Sequence, residues 1–300
     1  MASTATPADE VAGGTIPAHV NPSGGSAKAA LDALDRHPGF EVRLTPPEKL
    51  VTALRKAVSA GEPRVLVAGG DGTIASAASV LAGTSTALAV LPAGTLNHFA
   101  RDNGIPSDLE EALQVAERGR VRRVDVGYVN DQIFLNTSSV GAYVRFVEAR
   151  DRLERHVGYW AASVLAGLRI LRGLRATQVT FEAGGEKRIY QAWLVFIALG
   201  ERSLTPPGLG RPTADPGGAL HVVIPRGRRQ ARRLARAFAS WDRGRTVESK
   251  PLGLDTALVE RLRLDLPMAT VKVARDGEIG RLRTPLEYRL ERGGLNLVAP

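Results

Sequence analysis

The chain is 300 residues long with 44% hydrophobic and 24% charged side chains, enough apolar material for a sizeable core and no composition typical of disorder. It has no cysteine, which excludes a disulfide scaffold, thiolate zinc sites and a cysteine nucleophile. Its 40 Lys and Arg against 31 Asp and Glu leave a formal charge of +9, so anionic partners are expected: phosphorylated ligands, nucleic acid or anionic lipid headgroups.

At roughly 150 residues per domain the length suggests two domains. No apolar run approaches the ~18 residues of a spanning helix. Residues 1–14 (MASTATPADEVAGG) lack the basic start and apolar stretch of a secretory signal and read as a polar tail. A cytoplasmic protein that can touch the inner membrane face is the simplest expectation.

In chain order, Ile16–Val20 reads as a strand weakened by Pro17 and His19, followed by the turn Asn21–Gly25. Ala27–Arg36 is predicted helical, Phe40–Leu44 extended, Pro47–Ser59 helical, and Arg64–Ala68 a short apolar strand entering Gly69-Gly70-Asp71-Gly72. Thr73–Leu81 has helical composition, Ala87–Leu91 is a second buried strand, and Asn97–Asn103 and Leu109–Arg118 follow as helices. Strands alternating with helices predict right-handed βαβ units around a mainly parallel sheet. After Gly119 the texture changes. Val121–Val129, Gln132–Thr137, Gln178–Glu182, Arg188–Leu199, Ala219–Ile224 and Leu262–Val273 read as strands of an antiparallel sandwich, with helical inserts at Val147–Arg175 and Arg228–Trp241. The expected organisation is an α/β domain over 15–120 and a β-sandwich over 121–283.

The strongest chemical signal is Gly69-Gly70-Asp71-Gly72-Thr73 between a strand and a helix. Glycines let backbone approach a ligand, and the amides opening the next helix point at an anion such as phosphate. Asp71 would repel phosphate, so its presence argues for a bridging Mg²⁺ or for a proton acceptor at phosphoryl transfer; a plain helix-cap role is an equal alternative. The strand–turn–helix pattern recurs at Pro92-Ala93-Gly94-Thr95-Leu96-Asn97, and Asn21-Pro22-Ser23-Gly24-Gly25 leaves the first strand in the same way. Three such turns on one sheet edge favour a nucleotide-phosphate cleft. Walker A, GxGxxG, HExxH and GxSxG patterns are all missing, so P-loop, dinucleotide-binding, zinc-hydrolase and serine-hydrolase readings are not met. Aromatics at 5% are too sparse for a nucleic-acid stacking platform.

GGDGT at Gly69–Thr73 with PAGTLNHFARDNGIP at Pro92–Pro106 resembles the diacylglycerol kinase catalytic-domain family, closest to soluble bacterial lipid kinases of the YegS and BmrU type. Asn21–Gly25, Arg123–Gly127, Phe134-Leu135-Asn136 and Asp276-Gly277-Glu278 extend the likeness. The resemblance implies a two-domain kinase using ATP and Mg²⁺ on a lipid alcohol, with diacylglycerol-like substrates favoured. A sphingoid or ceramide kinase is one alternative and a non-catalytic binding protein on the same fold another; a soluble-substrate kinase of the NAD-kinase type is a third. The last stretch, about residues 284–300, would return to the first domain. Carried over, Asn21, Ser23, Thr45, Gly69, Gly70, Asp71, Gly72, Thr73, Gly94, Thr95 and Asn97 would contact the nucleotide. Glu278 would accept the lipid hydroxyl proton, with Asp276 and Asp71 as further catalytic carboxylates and Asp71 as metal contact. Read from the residues alone, Arg275–Glu278 is a type I′ hairpin turn.

The chain departs from the family pattern in three places. His98 stands where many members have Asp, and Ala75-Ser76 where Asn-Glu is common. Gly217–Leu220 replaces Asp-Gly-Leu-Leu, with Asp215, the candidate metal ligand there, two residues early, so the accessory Mg²⁺ site described for some members is not expected to survive. Arg226–Arg245 places Leu234, Phe238 and Trp241 on one face of a helix dense in Arg, suited to an anionic membrane or to packing on the sandwich. Trp160, Val164, Leu168 and Leu171 form a similar stripe.

Overall fold

A computed structural model describes residues 15–173, 175–203, 212–213, 218–225 and 255–300; within them the side chains of 154, 155, 159, 160, 163, 164, 168 and 170–172 are outside the description. The expectations for Arg226–Arg245 and Asp215 therefore lie outside the described residues, as do the side chains of the Trp160 stripe. The chain divides into two compact units, Met1–Val126 with Arg292–Pro300, and Gly127–Glu291.

The first unit holds β1 (Ile16–Val20), α1 (Ala27–Leu34), β2 (Phe40–Leu44), α2 (Pro47–Ser59), β3 (Arg64–Gly69), α3 (Asp71–Leu81), β4 (Ala87–Pro92), α4 (His98–Asp102) and α5 (Leu109–Arg118). β5 (Arg120–Val129) leads out of it. Its sheet runs β2-β1-β3-β4, every pair parallel. β1, β3 and β4 are buried at every position because helices cover both faces, so they read as apolar runs instead of alternating ones. The chain steps from β1 to β2 on one flank and from β3 to β4 on the other, with α1 against α5 and α2 against α3.

The helix α5 shows why its residues stop where they do. Asp108 caps α5 by accepting from the Glu111 amide at 3.0 Å. The other end of α5 is closed by Arg64, a buried cation with no carboxylate partner among the described residues. Its guanidinium donates to the carbonyls of Ala116 at 2.6 Å, Glu117 at 2.8 Å and Gly119 at 3.1 Å. Burial pushes its pKa down, and the negative end of the helix dipole with three carbonyls offsets that cost.

The second unit holds β6 (Gln132–Phe134), β7 (Thr137–Gly141), α6 (Ala142–Arg172), β8 (Thr177–Ala183), β9 (Glu186–Ala192), β10 (Leu194–Leu199), β11 (Leu220–Ile224), β12 (Asp255–Val259), β13 (Arg261–Asp265), β14 (Thr270–Arg275) and β15 (Glu278–Arg283). β16 (Leu286–Ala299) begins here and supplies Arg292–Pro300 to the first unit. One antiparallel sheet contains β16-β13-β8-β9, with β5 pairing β16 and β6; the other runs β12-β11-β10-β7-β14-β15. Val129, Phe134, Phe181, Leu264 and Tyr288 from the first meet Val140, Ile197, Leu220, Val222 and Val273 from the second in one core. α6 is kinked at Gly158, whose φ of 76° breaks the helix.

Strand boundaries differ from the sequence expectation where the chain crosses between these two sheets. Arg188–Leu199 is two strands divided at Trp193, Gln132–Thr137 is divided at Leu135-Asn136, and Leu262–Val273 is divided at 266–269. At Trp193 the run of β-forming residues continues through the crossing, so composition does not mark it.

Candidate functional site

The parallel register aligns Val20 with Ala68 and Gly69 with Pro92, so the three glycine turns leave the sheet at one edge. Backbone bonds tie their roots: the Asn21 amide donates to Ala68 O at 3.3 Å, Thr45 N to Val20 O at 2.9 Å and Ala93 N to Gly69 O at 3.1 Å. β1 and β3 are neighbours whose connections depart to opposite flanks, which makes this the switch point of the sheet, where open α/β sheets take ligands.

The second and third turns touch through glycines. A Cβ on Gly94 would lie 2.3 Å from the Gly70 Cα, and one on Gly69 would lie 2.6 Å from the Thr73 Cβ. Neither contact tolerates a side chain. The first turn is closed by Asn21, whose Oδ1 accepts from the Ser23 amide at 3.0 Å. α3 opens at Gly70 with no side-chain cap, so the amides of Gly72 and Thr73 are available at its N-terminus for an anion. Thr95 is exposed on the same edge.

Asp71 does something its motif did not announce. Its Oδ2 accepts from the His98 amide and its Oδ1 from the Phe99 amide, each at 3.1 Å. These open α4, whose own N-cap residue Asn97 is turned away: at φ 47° its Oδ1 accepts from Gly94 N and its Nδ2 donates to Gly94 O, both at 2.9 Å. The cap anticipated for Asp71 is thus a cap on a different helix. It locks the GGDGT turn to the PAGTLN turn. His98, the departure from the family pattern, keeps its imidazole out of this lock; its Nδ1 accepts from Arg101 at 2.6 Å.

Among the described residues no group of three or more His, Asp or Glu side chains could hold a metal. Asp71 retains one lone pair on each oxygen beyond its amide bonds. That donor set fits a Mg²⁺ carried on phosphate oxygens, which needs few protein ligands, and not a protein-caged ion.

Thr45 sits at the end of β2, buried, and its Oγ1 is 2.9 Å from the Nδ1 of His19 while donating to Arg43 O at 3.2 Å. Nδ1–H therefore donates to Thr45. Burial, reinforced by the Arg43 charge, holds the His19 pKa below its ordinary value. The sequence marked His19 only as a flaw in a strand; its partner 26 residues away was not legible.

In the second unit, Asp276 and Gly277, at φ 48° and 91°, form the two-residue tip between β14 and β15, with Arg275 paired to Glu278. This is the hairpin turn anticipated from Asp-Gly. The tip is also anchored: the Asp276 carboxylate accepts from the amides of Leu135 at 2.7 Å, Asn136 at 2.8 Å and Thr137 at 3.0 Å. Glu278 is exposed at the first position of β15.

Residues 19–129 match the diacylglycerol kinase catalytic domain. A Cronobacter sakazakii protein named probable lipid kinase YegS-like is 36% identical over 184 residues, 59% of this chain and 59% of that protein. A Bacillus subtilis diacylglycerol kinase is 36% identical over 126 residues, 41% of this chain and 41% of that protein. The matches thus span less than two thirds of these curated relatives. A crystal structure of a diacylglycerol kinase from Bacillus anthracis superimposes with a TM-score of 0.68 at 19% identity, covering 95% of this chain and 97% of that one. A yeast NADH kinase structure shares the fold more distantly, with a TM-score of 0.53 at 14% identity.

Proposed function

We propose that this protein is a lipid kinase that moves the γ-phosphoryl of ATP to the hydroxyl of a lipid alcohol, with diacylglycerol-like acceptors favoured. The observation that carries this reading is the pair of glycine turns pressed together at Gly70 and Gly94 and latched by Asp71 at the carboxyl edge of a parallel sheet. Turns so close, with uncapped helix amides beside them, suit a polyphosphate.

Gly70, Gly72, Thr73 and Thr95 bind phosphate oxygens, and Asn21, Ser23 and Thr45 orient the rest of the nucleotide. Glu278 takes the proton of the lipid hydroxyl as that oxygen bonds to the γ-phosphorus and the bond to the ADP oxygen breaks. Asp71 would hold a Mg²⁺ carried on the phosphates, which would supply positive charge against the charge that builds on them. The positive balance of the chain favours work at an anionic inner membrane face, and the product class places the protein in phospholipid metabolism.

The test is incubation with γ-labelled ATP, Mg²⁺ and vesicles carrying diacylglycerol, monoacylglycerol, ceramide or sphingosine. Label in phosphatidic acid is the expected result. Label in none of the lipids, or only in a water-soluble acceptor such as NADH, overturns the reading.

A further inference from the structure

We infer that Asp276 is a positioning residue and not the proton acceptor: it spends its carboxylate on locking the Phe134–Thr137 crossover to the hairpin tip, and so fixes the backbone that presents Glu278. The inference rests on the lipid-kinase reading for what Glu278 does, and on geometry alone for what Asp276 does.

Three successive amides, those of Leu135, Asn136 and Thr137, donate to this one carboxylate, at 2.7 to 3.0 Å. Two further bonds join the same segments. The Asp276 amide donates to Thr137 O at 2.9 Å, and the Arg275 guanidinium donates to Ile133 O at 3.0 Å. The anchored stretch is where the chain passes from β6 in one sheet to β7 in the other, so its amides at 135 and 136 have left one ladder before joining the next. Asp276 supplies the acceptors that the ladders do not. With Oδ1 accepting from two of these amides and Oδ2 from the third, the carboxylate is committed to backbone donors, which makes it a poor acceptor for a proton in transit. Glu278, two residues on and exposed, carries no such load.

Asp276→Asn and Glu278→Gln separate the roles. However an asparagine at 276 is turned, its NH₂ faces at least one of the three amides. Amide hydrogen exchange at 135–137 is expected to quicken by about tenfold or more in D276N and to stay at the wild-type rate in E278Q. In the active enzyme, D276N retains measurable turnover with the wild-type acid limb in its pH profile, while E278Q loses turnover. A D276N chain that cannot fold beside a folded E278Q is the extreme form of the same result. Unchanged exchange in D276N, or normal exchange with the acid limb abolished, overturns the inference. Should the wild type phosphorylate no lipid, the kinase reading fails and the exchange experiment still decides the lock.

Discussion

At the scale of single residues, the site depends on atoms that have no room to change. Gly94→Ala puts a methyl carbon 2.3 Å from the Gly70 backbone and must push the two turns apart; we expect ATP affinity to fall by about tenfold or more, a loss of ~1.4 kcal/mol. Gly167→Ala in α6, where an added Cβ meets nothing within 4 Å, is the control and should leave binding unchanged. Titration of each variant with ATP measures the difference. Asp71→Asn leaves one of two α4 amides facing an NH₂ group, a cost of about 1–3 kcal/mol. We expect a lowered melting temperature together with lost transfer. Glu278→Gln should bind ATP as the wild type does and transfer nothing. The glycines were legible from the sequence because only a backbone-close turn needs so many. The bonds of Asp71 were not, since its partners lie 27 and 28 residues downstream and are backbone amides, which every residue except proline offers.

At the scale of elements, the parallel half was nearly transparent. Short apolar strands between glycine turns and amphipathic helices leave little choice of fold, and the helix Leu109–Arg118 carries both its cap and its periodicity in its own residues. The antiparallel half was harder because strand breaks there follow tertiary crossings. At Trp193 the carbonyl accepts from the Ala142 amide and the chain changes sheets inside a continuous β-forming run. Arg64 offers a test at this scale. Replacing it with Met keeps the stem but strips three carbonyls at the end of α5 of their donor, and should cost about 2–3 kcal/mol in denaturant unfolding without altering the turns at the sheet edge.

At the scale of the whole molecule, acid should be a weakness. His19 and His221 are both buried, and burial is the leading reason each pKa lies below 6.5. The unfolded chain, titrating near 6.5, binds protons that the folded chain refuses. Stability is therefore full above about pH 6.5 and declines as pH falls through that value toward the lower folded ones. His19→Leu should flatten part of that decline, as read from melting temperatures between pH 5 and 8.

The first unit takes a partner strand from the far end of the chain: Leu295, Leu297 and Val298 are buried, Leu297 lies beside Leu88, and Gly83 N donates to Gly294 O at 2.8 Å. During synthesis, then, β4 waits with a bare edge while all of Gly127–Glu291 is made, and the first unit cannot mature on the ribosome ahead of its companion. Premature termination near residue 291 would release not half an enzyme but a polypeptide with an open, sticky sheet border, suited to chaperones and proteases.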